Sequence, residues 1–393
     1  MKKKIQDKKI NRIILHVGCH KTGTSSIQKA LAVNQKYLAS CGVITTSKTG
    51  QIGITKDMLN VTLTLATETI NFLEHLECDT LVLSNENYSW LSESESDRFV
   101  KILRNYTDKV EGIIYLRRQD KLAISHKQQG AKAIRASIVY GHELAALPTT
   151  LSAAAQKYLN FYEKVKHWKN LLDDLVIRRF EPATFHDGNL IFDFLHHTKI
   201  DQRIKPDLFT IPGLFNESTS RENQLFLHQT SSYFPDNSKI KKLITPIITK
   251  DIGGSNTKLM PSKAEAKTFY DQFRKGNERL KALIGMDDEA PFFDEDFSMY
   301  PDISNAGELT SNELCEIFAK LIKVIEKRLP STNKHKLQIN QLRDMAIKLS
   351  STDLETASSL MRIAHEMRPQ GEFIKRKLDE FDELLIKAKS SKF

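Results

Sequence analysis

Apolar positions along the chain fall into two alternating patterns. Arg12–Gly18 (RIILHVG) is a short apolar run that ends in glycine, and Thr24–Cys41 then place Ile27, Leu31, Tyr37 and Leu38 at helical spacing. The pattern predicts strand, loop, helix. Further buried-type strands are predicted at Thr80–Ser84 (TLVLS), Gly112–Leu116 (GIIYL) and Leu175–Phe180 (LVIRRF), with helical patterns at Glu95–Tyr106 and Ala153–Leu172. Strands that are apolar on both faces and alternate with helices imply an α/β fold, a parallel sheet covered on both sides.

After Asp187 the pattern turns helical, interrupted by irregular stretches at Lys205–Glu217 and Lys250–Pro261 that read as candidate substrate loops. Thr310 and Glu313 have capping-box spacing ahead of Leu314–Leu329, and Pro330–Lys336 (PSTNKHK) reads as a linker. The expected organisation is an α/β domain over 10–330 and a helical C-terminal segment over 331–393. In that tail Ala357, Ala364 and Pro369 match the second half of a tetratricopeptide repeat. One half-repeat makes no solenoid, so the tail reads as a helical hairpin packed on the main domain, with a protein-partner platform as the alternative.

Composition narrows the class. The 393 residues include 58 Lys and Arg against 49 Asp and Glu, with 27% charged and 40% hydrophobic, which excludes a disordered chain and a collagen. Four cysteines, at 19, 41, 78 and 315, have no CxxC spacing and suit neither a zinc site nor a disulfide framework. A cytoplasmic location is expected. No run of about 18 apolar residues exists to form a transmembrane segment, and Met1–Ile10 (MKKKIQDKKI) lacks the apolar core of a secretory signal. A net charge of +9 over this length is too diffuse for a nucleic-acid binder but suits small anions or acidic glycans.

The most informative segment is His16–Ile27, HVGCHKTGTSSI, in which a glycine-containing loop joins a buried strand to a helix opening with Thr, Ser and Ser. Backbone N–H groups and the helix dipole at such a turn favour an anion at Thr22, Gly23, Thr24, Ser25 and Ser26. Gly18 and Gly23 have Walker A spacing, but position 24 is threonine and the lysine lies forward at Lys21. This arrangement resembles the 5′-phosphosulfate loop of sulfotransferases that use 3′-phosphoadenosine 5′-phosphosulfate (PAPS). A second element, Ile113–Ser125 (IIYLRRQDKLAIS), puts Arg117 at a strand's carboxyl end and Ser125 eight residues on. It resembles the 3′-phosphate motif of the same family. Arg118 is the rival arginine, but the spacing to Ser125 favours Arg117. Shorter fragments, SNENYSWLS at Ser84–Ser92, VIRRFEP at Val176–Pro182, GNLIFDFL at Gly188–Leu195 and FNES at Phe215–Ser218, look like bacterial family members.

The resemblance implies a P-loop-type sheet and a PAPS-dependent sulfotransferase that moves a sulfuryl group to a hydroxyl or amine and releases 3′-phosphoadenosine 5′-phosphate, with no metal. By analogy the acceptor is a carbohydrate or glycan. Sulfuryl transfer needs a group to take the acceptor's proton and positive charge on the leaving phosphate. Lys21 suits the second role. Glu86, after the strand Thr80–Ser84, suits the first, with His20 as competitor and capping as the structural alternative for Glu86. His16 reads as a packed strand residue. Arg274-Lys275-Gly276 lies in a helical stretch and reads as a coincidence with the basic tripeptide of animal enzymes, and Asn256 and Lys258 suit sugar hydroxyls. The other classes are a P-loop kinase or NTPase with ATP and magnesium, against which Asp79 precedes its strand, and a non-catalytic scaffold.

Overall fold

The computed structural model describes residues 9–45, 54–57, 60–63, 67–133, 139–140, 144–213, 219–231, 239–252, 257–286, 289–328 and 334–390. The strands are β1 (Ile10–Val17), β2 (Val43–Thr45), β3 (Ile54–Asp57), β4 (Asn60–Leu63), β5 (Cys78–Asn85), β6 (Val110–Leu116) and β7 (Asp174–Arg179). Five of them form a parallel sheet in the order β2-β5-β1-β6-β7, while β3 and β4 pair as a separate antiparallel ribbon.

Strand periodicity explains the two cores. Ile13, Leu15 and Val17 of β1 point to one face, where Phe99, Leu103, Leu122 and Trp168 cover them. Ile14, with Val82, Ile113 and Tyr115, points to the other, beneath Ile27, Leu31 and Phe194. The first helices are α1 (Thr24–Val33), α2 (Gln35–Ser40), α3 (Thr67–His75), α4 (Glu93–Leu103) and α5 (Gln119–Ala133).

Two helices expected to be continuous are broken, each at an asparagine. The Asn34 amide donates to the carbonyls of Ala30 (2.8 Å) and Thr210 (2.7 Å) and accepts from the Thr210 N–H (2.8 Å), which ends α1 and anchors the 205–210 segment. Asn160 caps the helix Phe161–Leu171, splitting it from Ala153–Leu159. This is the ordinary competition of an asparagine side chain with helical backbone bonds.

His16 is fully buried between Tyr115 and Phe194, with Nδ1 2.8 Å from the Ser84 hydroxyl. It is the packed strand residue the sequence implies. Nearby, Asp193 on the helix Leu190–His197 accepts from Tyr115 (2.8 Å), from Arg178 (2.6 and 3.1 Å) and from the His186 N–H (2.8 Å). That buried knot fixes the segment 185–190 against the sheet.

The chain divides into two compact units, residues 1–217 with 260–305, and residues 218–259 with 306–393. A boundary at 330 therefore does not coincide with the division. The helix Ser311–Arg328 buries Ile317, Phe318 and Leu321, and Phe318 meets Phe226 edge-on at 5.4 Å, so it joins the second unit. The Thr310–Glu313 capping box is present, with reciprocal bonds of 2.8 and 3.2 Å. The tail comprises the helices Lys334–Leu349, Leu354–Met367 and Glu372–Ser390, with Ala357 and Ala364 wholly buried where small residues let helices approach. These C-terminal helices share a unit with 218–259. Phe215–Ser218, Asn256 and most of the linker at 330 lie outside the described residues. Among the described residues no helix is long and apolar enough to cross a membrane.

Burial lowers the His16 pKa to about 3. The unfolded value is about 6.5, so the fold favours the neutral ring: stability is full above that pH and declines as pH falls toward 3, at up to about 1.4 kcal/mol per unit. Denaturant unfolding of wild type and His16→Phe between pH 7 and 4.5 is expected to show this slope in wild type and its loss in the variant. Parallel pH curves would contradict it.

Candidate functional site

In an open parallel sheet, ligands bind beyond the carboxyl ends of the strands where the connections turn in opposite directions. Here that point is β1, flanked by β5 on one side and β6 on the other. The loop after β1, Glu86 after β5 and Arg117 after β6 all leave from that edge, as the registers Val17 with Asn85 and His16 with Ile113 require.

The loop 18–23 is held tightly. The hydroxyls of Thr22 and Thr24 both turn inward to the Cys19 carbonyl, at 2.7 and 3.4 Å. They are spent on the loop itself, so Thr22 and Thr24 have their backbone amides to offer a ligand. Ser25 is exposed and Ser26 half-exposed at the start of α1. A Cβ on Gly18 would sit 2.7 Å from Thr24 Oγ1 and 3.1 Å from the Glu86 Cα, so the loop and the end of β5 touch through backbone. Gly23, the N-cap of α1, is left-handed with φ 75°, and a Cβ there would lie 2.1 Å from Leu190. Lys21 is also left-handed, with φ 61°, a conformation that costs a non-glycine residue about 1 kcal/mol.

The two arginines after β6 have opposite fates. Arg118 is buried and forms a two-bond pair with Asp120 (2.8 and 2.9 Å), donates to the carbonyls of Asp294 and Asp296 and lies 4.0 Å over Phe297. Asp120 also accepts from the Tyr300 hydroxyl at 2.6 Å. Arg118 is structural. Arg117 donates to the Lys21 carbonyl at 3.0 Å and stacks 5.7 Å from the Phe180 ring. No carboxylate among the described residues forms an ion pair with it, and desolvation lowers its pKa against the smaller opposing pull of Tyr300 and Asp120. Ser125 is half-buried on α5, and no hydrogen bond links it to Arg117.

Glu86 opens a single 3₁₀ segment, Glu86–Trp90, whose cap is Asn85, accepting from the Asn87 N–H at 2.9 Å. The capping alternative for Glu86 therefore falls away. Its carboxylate makes no hydrogen bond or ion pair with any described residue.

His20 lies in an aromatic cluster. Its ring stacks on His126 at 4.5 Å, and Trp90 stacks on Tyr158 at 4.0 Å. The Trp90 indole donates to His20 Nδ1 at 3.2 Å, while the Tyr158 hydroxyl accepts from the His20 backbone N–H at 2.8 Å and lies 3.1 Å from Nδ1. An indole N–H only donates, so Nδ1 is the acceptor and the ring proton rides on Nε2. In that tautomer Nε2 has no lone pair to take a proton, so the bonds disfavour His20 as a base.

Arg274, Lys275 and Gly276 lie on the helix Lys263–Leu283, where Arg274 pairs with Asp271 (2.9 Å) and Glu295 (2.7 Å). Asp79 is at the amino end of β5, paired with Arg203 at 3.0 Å, on the edge opposite the loop. Sequence reasoning missed Phe180, Leu190, Trp90, His126 and Tyr158. The fragments VIRRFEP, GNLIFDFL and SNENYSWLS contain the first three, but nothing in their spacing shows that Phe180 and Leu190 close over Gly23.

No family model matches the chain, and no solved structure matches it. Among curated proteins it is similar to an uncharacterized protein of Archaeoglobus fulgidus, 24% identical over 195 residues, which cover 48% of this chain and 50% of that protein. The chain thus spans about half the length of the relative it matches, and the likeness brings no activity with it.

Left-handed geometry separates binding from stability. Lys21→Gly is expected to keep or raise the urea midpoint, because glycine removes the cost of positive φ. Gly23→Ala is expected to lose about 1–3 kcal/mol from positive φ and crowding at Leu190. Equal effects of the two substitutions would contradict the loop geometry.

Proposed function

We propose that the protein is a PAPS-dependent sulfotransferase on a P-loop-type sheet, transferring a sulfuryl group to a hydroxyl or amine of an acceptor, with a carbohydrate as the favoured class. The observation that carries this reading is Arg117, a half-buried guanidinium beside the anion loop that forms no ion pair with a carboxylate among the described residues. Arg118, by contrast, is fully engaged, which supports Lys21–Ser26 and Arg117 as the two anion-binding elements. The nucleotide supplies the activated sulfuryl group and a 3′-phosphate.

The residues divide the work as follows. Backbone amides at the start of α1 and the Lys21 ammonium hold the 5′ end, while Arg117 and Ser125 hold the 3′-phosphate. As the acceptor oxygen bonds to sulfur, the bond from sulfur to the bridging phosphate oxygen breaks. Lys21 offsets the charge gathering on that oxygen, and the acceptor's proton passes to Glu86. The left-handed backbone of Lys21 supports this role, since strain of this kind persists where the surroundings impose it and clusters at functional sites. The tautomer of His20 supports Glu86 as the base.

Thermal melting with adenosine 3′,5′-bisphosphate and with ADP and magnesium tests the nucleotide class. A ligand at about ten times its dissociation constant adds about 1.4 kcal/mol of stability. The bisphosphate is expected to raise the melting temperature more than ADP with magnesium. An equal or larger shift with ADP and magnesium would favour a kinase or NTPase instead.

Glu86→Gln keeps the shape but cannot accept a proton at neutral pH. It is expected to leave bisphosphate affinity unchanged and to lower sulfuryl transfer by about 10²–10⁴, whereas Lys21→Ala is expected to lower turnover by about 10²–10³. Undiminished transfer by Glu86→Gln per folded molecule would remove Glu86 from the mechanism.

A further inference from the structure

The second unit carries an apolar stripe that begins buried and runs out into solvent. On the helix Lys239–Pro246 and the π-helical turn Ile247–Asp251 that continues it, Ile240, Leu243, Ile244 and Ile247 follow the i, i+3, i+4, i+7 spacing of one helical face. Ile247 and Ile248 are wholly buried and Ile244 is half-buried, but Leu243 is 48% and Ile240 50% exposed. Large aliphatic side chains one turn apart that no described residue of their own unit covers are an unusual feature of a helix face.

Charge indicates what covers it. From Lys239 to Lys250 the sequence KIKKLITPIITK contains four lysines and no acidic residue. Lys242 and Lys250 are exposed. The next residue, Asp251, is paired with Arg328 at 2.5 Å, so its negative charge is offset. Exposed aliphatic side chains accompanied by lysines on a short amphipathic helix match an interface of apolar chains beneath anionic headgroups, where lysine stems lie along the apolar layer and ammonium groups reach phosphate.

We propose that Ile240 and Leu243, with Lys242 and Lys250, dock the protein peripherally on the surface of an anionic phospholipid bilayer. The aliphatic side chains enter the headgroup boundary and the lysines meet lipid phosphates. The attachment is reversible and salt-sensitive, because the inserted apolar area is small and exposed charges are screened within about 8–10 Å at physiological salt. It is independent of the sulfotransferase reading.

The test is co-sedimentation of the full chain with vesicles of equimolar phosphatidylglycerol and phosphatidylcholine, against pure phosphatidylcholine vesicles. The protein is expected to pellet with the anionic vesicles at low salt, to be released at about 0.5 M salt, and to stay in solution with the neutral ones. Ile240→Glu with Leu243→Glu is expected to lower the partition about tenfold or more, with an unchanged circular dichroism spectrum. Lys242→Glu with Lys250→Glu changes two exposed charges and provides the same reading should the first variant misfold. A protein that ignores anionic vesicles, binds neutral ones equally well, or partitions undiminished in folded variants would overturn the proposal. A protein partner on this stripe would give the first of those results.

Discussion

The hydrogen bond from Arg117 to the Lys21 carbonyl ties the end of β6 to the loop that follows β1. The two strands are neighbours in the sheet, so one bond joins two connections that leave it in different directions. The bond needs Lys21 left-handed to present its carbonyl, and Gly23 left-handed to start α1 immediately afterwards. It also leaves most of the Arg117 donors pointing elsewhere. A guanidinium whose one acceptor among the described residues is a carbonyl has donors to offer an anion. The central assignment rests on that imbalance.

The surroundings are built to preserve it. Arg118, one residue on, takes Asp120, the carboxylate that would otherwise compete. Phe180 and Leu190 close over the loop, held by the Asp193 knot with Tyr115 and Arg178. On the β5 side, Gly18 allows Glu86 to lie against the loop, and Asn85 relieves Glu86 of capping. The proposed acid–base group, the anion loop and the arginine therefore leave the sheet at one edge, where the Arg117 bond to the Lys21 carbonyl ties two of them together. Where a side chain beside them does hold the fold, as with Thr22, Thr24 and Arg118, its polar atoms are already occupied.

The α/β class was legible because the central strands are buried on both faces and read as continuous apolar runs, and β1, β5, β6 and β7 lie where those runs predict. The edge strand β2 is three residues long and gives no such run. Helix ends at Asn34 and Asn160 escaped periodicity because apolar spacing continues across both, while the asparagine amides satisfy backbone groups that a helix would have used. The division into units was hidden for another reason: residues 218–259 leave the first unit and pack with 306–393, a long-range choice that no local pattern encodes. In the candidate site, a loop between β1 and α1 and an arginine at the end of β6 were legible from residue type and spacing. The preference for Arg117 over Arg118 came from its spacing to Ser125, whereas the engagement of Arg118 with the Asp294 carbonyl and the tautomer of His20 depend on partners far away in sequence.

The central claim is that Arg117 is reserved for a second phosphate. Calorimetric titration of adenosine 3′,5′-bisphosphate and of adenosine 5′-phosphate into wild type and Arg117→Ala measures that phosphate's contribution in each protein. A charge-assisted contact of this kind is worth about 1.5–3 kcal/mol, so wild type should prefer the bisphosphate by about tenfold or more. Arg117→Ala should abolish most of that preference while binding the monophosphate as wild type does. A preference that survives the substitution, or is absent from wild type, would contradict the account.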